Sequence, residues 1–270
     1  MSNEQPIGFM DSGVGGLTVV KQALKQLPRE TVIFIGDQAR LPYGPRPSEQ
    51  VRAFSWQMTH FLLKQNIKML VIACNTATAA ALPDLRAKLD IPVIGVISPG
   101  SRAAIKASKN HRIGVIATEG TIRSNAYRDA ILAKDPDATV ISQACPKFVP
   151  LVESNEYQSP VAKRVVAEGL QSFKHSGIDT LVLGCTHYPL LRPLIQNVVG
   201  PDVTLIDSGA ETVNGVSFML DYLDIANTSA QQAQPDQYYT TGSAVQFATI
   251  AKNWLGLPDF TATHIDLGRN

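Results

Sequence analysis

Cysteine is scarce in this chain: three among 270 residues, far apart, with no Cys-x-x-Cys pair. An odd, scattered set makes no disulfide framework, and without the paired motif a thioredoxin-like redox role has no support. Charge of one sign is lacking too. Lys plus Arg number 24 and Asp plus Glu 23, a formal net charge of +1. Neither a nucleic acid nor an anionic membrane is therefore an expected partner. No run approaches the roughly 20 apolar residues that a membrane-spanning helix needs. The opening MSNEQP holds no basic region and no apolar stretch of signal length. Together these absences predict a cytoplasmic protein with reduced thiols.

What is present is apolar material in regular order. Hydrophobic residues make up 44% of the chain, and its length fits about two cores. Ile7–Met10, Val32–Ile35, Met69–Ala73 and Val93–Ile97 read as buried strands; polar or glycine-rich turns and helical stretches follow the first three. Leu17–Leu27 has helical spacing and stops at Pro28, and Ser48–Lys64 is a second helix with Ser48 as N-cap. A third follows Cys74, with Pro83 expected to break or kink it. Around Pro99-Gly100 the pattern restarts. Arg112–Ile116, Thr139–Ser142, Thr180–Gly184 and Val203–Ile206 repeat the four strands at offsets of about 106 to 111.

The repeat predicts an α/β fold: two similar flavodoxin-like domains with mostly parallel sheets, related by pseudo-twofold symmetry, with a cleft between them. Residues 98–208 would form the second domain and residues 1–97 with 209–270 the first. After a helix at Ala210–Leu223, the polar stretch 226–237 reads as a surface loop. The closing strand–helix–strand pattern, Tyr238–Thr240, Ala244–Trp254 and Thr261–Ile265, is expected to pack on the first domain.

Two cysteines hold matching places in the repeat. MLVIACNTAT (69–78) and TLVLGCTHYPLL (180–191) each run from an apolar strand into a cysteine and then polar residues, with Cys185 standing 111 positions beyond Cys74. Open α/β sheets place their chemistry at such strand ends. A free thiol with a pKa of about 8.5 is mostly protonated at neutral pH, and helix N-terminal amides or a cation favour its thiolate. If the two units face each other, one thiolate can take a proton from carbon while the opposite thiol delivers one to the other face. That inverts a stereocentre. The competing reading, a small buried hydrophobe, holds for many strand-end cysteines. Cys145, in Ala-Cys-Pro after a different strand, is read that way.

Other polar turns also fall at strand ends. Asp11-Ser12-Gly13-Val14-Gly15-Gly16 offers a carboxylate, a hydroxyl and a flexible amide-rich loop suited to an anion. It matches neither GxxxxGK[ST] nor GxGxxG, and its glycines also fit plain turn punctuation. Leu41-Pro42-Tyr43-Gly44 extends a long loop carrying an aromatic hydroxyl, which could equally be a packed turn. His187 lies two residues past Cys185; with no second pair at ligand spacing it is read as a group biasing the thiol, not as a zinc ligand. Glu153 alone reads as a solvated surface charge.

Five blocks then combine: IGFMDSGVGGLTV (7–19), GDQARLPYG (36–44), VIACNTAT (71–78), ACPKFVPLVE (144–153) and LGCTHYPLL (183–191). In this order they resemble glutamate racemases, of the aspartate/glutamate racemase superfamily. The resemblance implies a cofactor-independent, metal-free enzyme of two α/β domains that interconverts L- and D-glutamate and supplies D-glutamate for peptidoglycan. It implies Cys74 and Cys185 as proton donor and acceptor, Cys74 serving the D-enantiomer and Cys185 the L-enantiomer. Asp11 would assist Cys74, and His187 with Glu153 would assist Cys185. Ser12, Tyr43, Gly44, Asn75, Thr76, Thr118, Thr121 and Thr186 match positions that hold the substrate. A homodimer is the expected assembly. Two alternatives stay open: a racemase for aspartate or a related acid, and a non-enzymatic two-domain clamp around a small ligand.

Overall fold

The computed structural model describes residues 3–268, so the chain ends assigned to the first domain, 1–2 and 269–270, lie outside the described residues. The first half runs β1 (Ile7–Asp11), α1 (Leu17–Gln26), β2 (Val32–Gly36), α2 (Ser48–Leu63), β3 (Met69–Ile72), α3 (Asn75–Lys88), β4 (Val93–Gly95) and α4 (Ile97–Ala107). The second runs β5 (Arg112–Ala117), α5 (Glu119–Arg123), α6 (Ala126–Leu132), β6 (Thr139–Ala144), α7 (Phe148–Glu153), α8 (Pro160–Gly169), β7 (Thr180–Gly184), α9 (Arg192–Val199) and β8 (Thr204–Asp207). Then come α10 (Ser208–Tyr222), β9 (Gln237–Thr240), α11 (Ala244–Leu255) and β10 (Thr263–His264).

Two sheets result, ordered β10-β9-β2-β1-β3-β4 and β6-β5-β7-β8, and every pairing in them is parallel. The core orders β2-β1-β3-β4 and β6-β5-β7-β8 are the same pattern used twice. β1 and β7 are buried along their whole length, as strands covered by helices on both faces must be. In each sheet the chain reverses direction of winding beside its first strand, and the crevice at that switch point is where such sheets bind ligands. Cys74 follows β3 and Cys185 follows β7, so each thiol stands at its own sheet's switch point.

Several local expectations change. Pro47, not Ser48, takes the N-cap place of α2, and no side chain caps that end. Pro83 lies inside α3, which continues through it to Lys88. Pro83 offers no N–H to the Ala79 carbonyl one turn back, so α3 runs on without that one bond. β4 stops at Gly95, and Pro99-Gly100 sits in the first turn of α4 instead of between units. A first-turn proline loses nothing, because its N–H would have no helical partner. The last strand shrinks to Thr263–His264.

The closing segment extends the first sheet: β9 pairs with β2 and β10 with β9. Phe247 of α11 is fully buried, with its ring 6.0 Å from that of Phe34 on β2. The polar loop before β9 is tied down, since Asn227 donates to Glu30 and to the Arg29 carbonyl, both at 2.7 Å. Lys68, wholly buried, closes this corner with a 2.7 Å ion pair to Glu30 and a 2.7 Å bond to the Ile225 carbonyl.

Candidate active site

Cys74 is the residue at which β3 turns into α3. Its sulfur caps the helix, accepting from the Ala77 N–H at 3.4 Å, and lies 3.8 Å from the Ser12 hydroxyl. Cys185 occupies the same place after β7, where a short 3-10 turn (Tyr188–Leu191) follows instead of a long helix. Both sulfurs line one pocket, together with Ser12, Asn75, Thr76 and Thr118. Tyr43, Gly44, Thr186 and His187 complete the expected part of the wall; Leu41, Pro42 and Val149 were not foreseen. As it stands the pocket has room for about one water, roughly 20 Å³.

Three expected residues stand behind the wall. Asp11, fully buried at the end of β1, accepts from the backbone N–H groups of Gly13 (3.2 Å) and Gly16 (3.0 Å), and Thr186 donates to it at 3.4 Å. Glu153, at the end of α7, bonds His187 Nε2 at 2.5 Å. Thr121 bonds the hydroxyls of Thr76 (3.2 Å) and Thr118 (3.1 Å), holding both in place. Tyr43 lines the pocket, but its hydroxyl donates to Asp37. Burial and the Asp37 carboxylate keep that phenol far above its usual pKa.

The two thiols have opposite surroundings. Burial, and next the Asp11 carboxylate, push Cys74 up to about 12, against the pull of the Ala77 N–H. Cys74 therefore rests as a thiol. Beside Cys185 stands His187, its Nδ1 3.8 Å from the sulfur. Burial alone would lower the imidazole, but its bonds to Cys185 and Glu153 outweigh that and raise it to about 10. An imidazolium next to Cys185 stabilises negative charge on that sulfur. Burial lifts Asp11 to about 6, opposed by the His187 charge. One sulfur thus stands beside a buried carboxylate and the other beside an imidazole.

Residues from the two halves interlock here. Thr76 and Thr118 share a 2.8 Å hydroxyl contact, the Gly120 N–H donates to the Gly44 carbonyl at 2.8 Å, and Thr18 donates to the Thr186 carbonyl at 3.0 Å. Gly15 is glycine because a Cβ there would meet the His187 ring at 2.5 Å. Tyr127 was not foreseen: its hydroxyl donates to Asn75 Oδ1 at 2.7 Å, leaving Asn75 Nδ2 buried with no partner among the described residues. The two N–H donors of that amide are therefore free for an acceptor such as a carboxylate. Trp254 of α11 was also missed; it stands edge-on to His187 at 6.2 Å. A tyrosine on a short helix and a tryptophan in the tail carry no motif, so nothing in one sequence marks them. Cys145 is buried away from the pocket wall. Among the described residues no group of three or more His, Cys, Asp or Glu could hold a metal ion.

Chemically, an acid and a base of the same type face one small cavity with hydroxyl, amide and helix N-terminal donors around it. Such a site can move a proton off one face of a carbon acid and onto the other. Comparison with known proteins agrees. The profile for Asp/Glu/Hydantoin racemase matches residues 7–216. The glutamate racemase of Lactiplantibacillus plantarum is 80% identical over 268 residues, covering 99% of this chain and 98% of that one. The crystal structure of glutamate racemase isoform RacE1 from Bacillus anthracis superposes with a TM-score of 0.95 at 44% identity, covering 98% of both chains. That of the Francisella tularensis enzyme in complex with D-glutamate gives 0.89 at 34% identity, again covering 98% of both. With its sequence matched nearly end to end and its paired-thiol pocket in place, the chain belongs to the Asp/Glu/hydantoin racemase family, among the glutamate racemases.

Proposed function

We propose that the chain interconverts L- and D-glutamate by two one-proton transfers at the α-carbon, supplying D-glutamate for peptidoglycan. In the L-to-D direction the Cys185 thiolate takes the α-proton, and the C–H electron pair stays on the substrate, spread into its carboxylate. The Cys74 thiol then gives its proton to the opposite face, leaving Cys74 as thiolate and Cys185 as thiol. The reverse direction exchanges the two roles. For the D-to-L direction from the resting state, Asp11 first takes the Cys74 proton, leaving a thiolate as base, and the His187 imidazolium, backed by Glu153, gives a proton to the Cys185 thiolate so that it can act as acid. Asn75 Nδ2 and the hydroxyls of Ser12, Thr76, Thr118 and Thr186 face the substrate carboxylates as the negative charge develops. Thr121 holds two of those hydroxyls, and Tyr43 with Gly44 shapes the wall.

The observation that carries this reading is the pair of cysteines at equivalent strand ends of two like sheets, lining one pocket in opposite electrostatic surroundings. The test is racemisation in deuterium oxide, followed by circular dichroism and by α-proton exchange. Cys74→Ala and Cys185→Ala are each expected to lose activity by at least about 10³-fold, since each removes a proton carrier. Substantial turnover by either variant would overturn the two-thiol scheme. Running aspartate beside glutamate tests the substrate assignment.

The domain division, 1–97 with 209–270 against 98–208, belongs to the same proposal and is supported by the two sheets. So does a homodimer. Phe218 (66% exposed) and Tyr222 (73% exposed) stack at 6.0 Å on the outer face of α10, an apolar surface fit for a second copy. Sedimentation of Phe218→Glu/Tyr222→Glu tests this, with a monomer expected. No helix among the described residues is long and apolar enough to cross a membrane. The three free thiols fit the reducing compartment of a cytoplasmic enzyme.

A further inference from the structure

Next to the thiol pocket, sharing Thr76 as a common wall, is a second hollow of about 370 Å³. Arg46, Arg52 and Arg123 line it with Ser48 and Ser124, and no carboxylate does. Arg46 precedes α2, Arg52 lies on α2 and Arg123 on α5, so the hollow straddles both halves of the molecule. None of the three guanidinium groups is in an ion pair among the described residues. Two are anchored by part of their donor set, and Arg46 also lies over the Phe54 ring at 5.4 Å. Arg46 donates to the Arg40 carbonyl (2.9 Å) and to Gln50 (3.1 Å), and Arg52 donates through Nε to the Ala80 carbonyl (3.0 Å). The wall of the thiol pocket, by contrast, contains no Lys or Arg.

The uneven placement of charge has a consequence. A dicarboxylic amino acid carries a net negative charge, and the one cation in the thiol pocket wall, the His187 imidazolium, is already bonded to Glu153 and Cys185. Three unpaired guanidinium groups around one concavity focus a positive potential and offer paired N–H donors to an oxyanion. We propose that this hollow is an oxyanion vestibule: Arg46, Arg52 and Arg123 capture a carboxylate of the incoming amino acid before it passes Thr76 to the thiols. The proposal rests on glutamate as substrate, and its anion chemistry is shared with inorganic phosphate, which therefore serves as an independent probe. The arginines act on capture, not on the proton transfers.

The experiment compares the wild-type protein with Arg52→Gln/Arg123→Gln, and with Arg52→Lys/Arg123→Lys as the charge-preserving control. The Gln pair is expected to lower kcat/KM for L-glutamate about tenfold at low salt with kcat within about twofold. Added salt should depress the wild-type kcat/KM toward the value of the Gln variant, whose own salt dependence is flatter. The Lys pair should recover most of the loss. Phosphate binding, titrated by calorimetry without turnover, should weaken at least about fivefold in the Gln variant. Unchanged kcat/KM and salt slope, or a loss that the Lys pair shares in full, would overturn the vestibule. Phosphate binding that depends on the arginines, in a wild-type protein that fails to racemise glutamate, would instead sink the substrate reading and leave the anion site standing.

Discussion

At the scale of single residues, the site works through differences between two otherwise equivalent positions. The sequence marks Cys74 and Cys185 as a pair, but not which one is the resting acid. That follows from neighbours: a buried carboxylate, Asp11, near the first and a cationic imidazole, His187, near the second. Because His187 loses its proton near pH 10, L-to-D kcat/KM is expected to fall as pH rises through about 10. Replacing Glu153 with Gln removes one of the interactions holding that proton. The falling limb of a pH profile should then move to lower pH, and a limb that stays put would separate His187 from the loss. Tyr127 is the other residue-level finding. In Tyr127→Phe, Asn75 loses the bond that fixes its amide. KM for glutamate is expected to rise about tenfold, at a stability cost of about 1 kcal/mol, checked by steady-state kinetics and urea unfolding. This role of Tyr127 was not legible in the sequence, because a hydroxyl 52 positions from its partner leaves no local pattern.

Elements were more legible than their partners. The strands β1, β2, β5 and β7 lie within a residue or two of where apolar runs placed them, since burial on both faces writes itself directly into composition. Prolines misled. Pro83 and Pro99 both sit inside helices: in the first turn Pro99 forfeits no bond, and in mid-helix Pro83 forfeits one. The attachment of the closing segment depends on a feature that no periodicity shows, the buried Lys68–Glu30 pair with its bond to the Ile225 carbonyl. Lys68→Met should destabilise the protein by about 3–5 kcal/mol, because it leaves Glu30 charged and buried without its partner. The Lys68→Met/Glu30→Leu double variant should regain most of that loss in urea unfolding. An equal loss in both would mean that packing, not charge, holds this corner.

For the whole molecule, the decisive quantity is the size of the thiol pocket. Space for about one water cannot take an amino acid with two carboxylates. The pocket must widen to admit glutamate, and polar contacts between the halves meet at it: Thr76 to Thr118, Gly120 to Gly44, Thr18 to Thr186, Tyr127 to Asn75 and Thr186 to Asp11. Single polar contacts of this kind open at lower cost than the apolar cluster that also runs through both halves. Hydrogen exchange at the Gly120 amide, which donates across the halves, is therefore expected to be fast in the free protein and slowed at least tenfold by saturating glutamate. The amides of β1 and β7 should change little. Equal protection of Gly120 with and without glutamate would contradict opening. The arginine hollow lies beside this same junction, so capture and closure would occur at one place.

The amino-acid sequence by itself determined the order of strands and helices, the twofold repetition of the unit and the equivalence of its two thiols. Each of these is encoded by burial or by spacing along the chain, which are local properties. The tertiary structure alone decided which charged group stands beside each thiol, that Tyr127 and Trp254 back the site, that Tyr43 spends its hydroxyl on Asp37, and that three arginines meet beside Thr76. Those facts depend on groups brought together from distant parts of the chain, and a periodicity records that a residue is buried without recording what it is buried against.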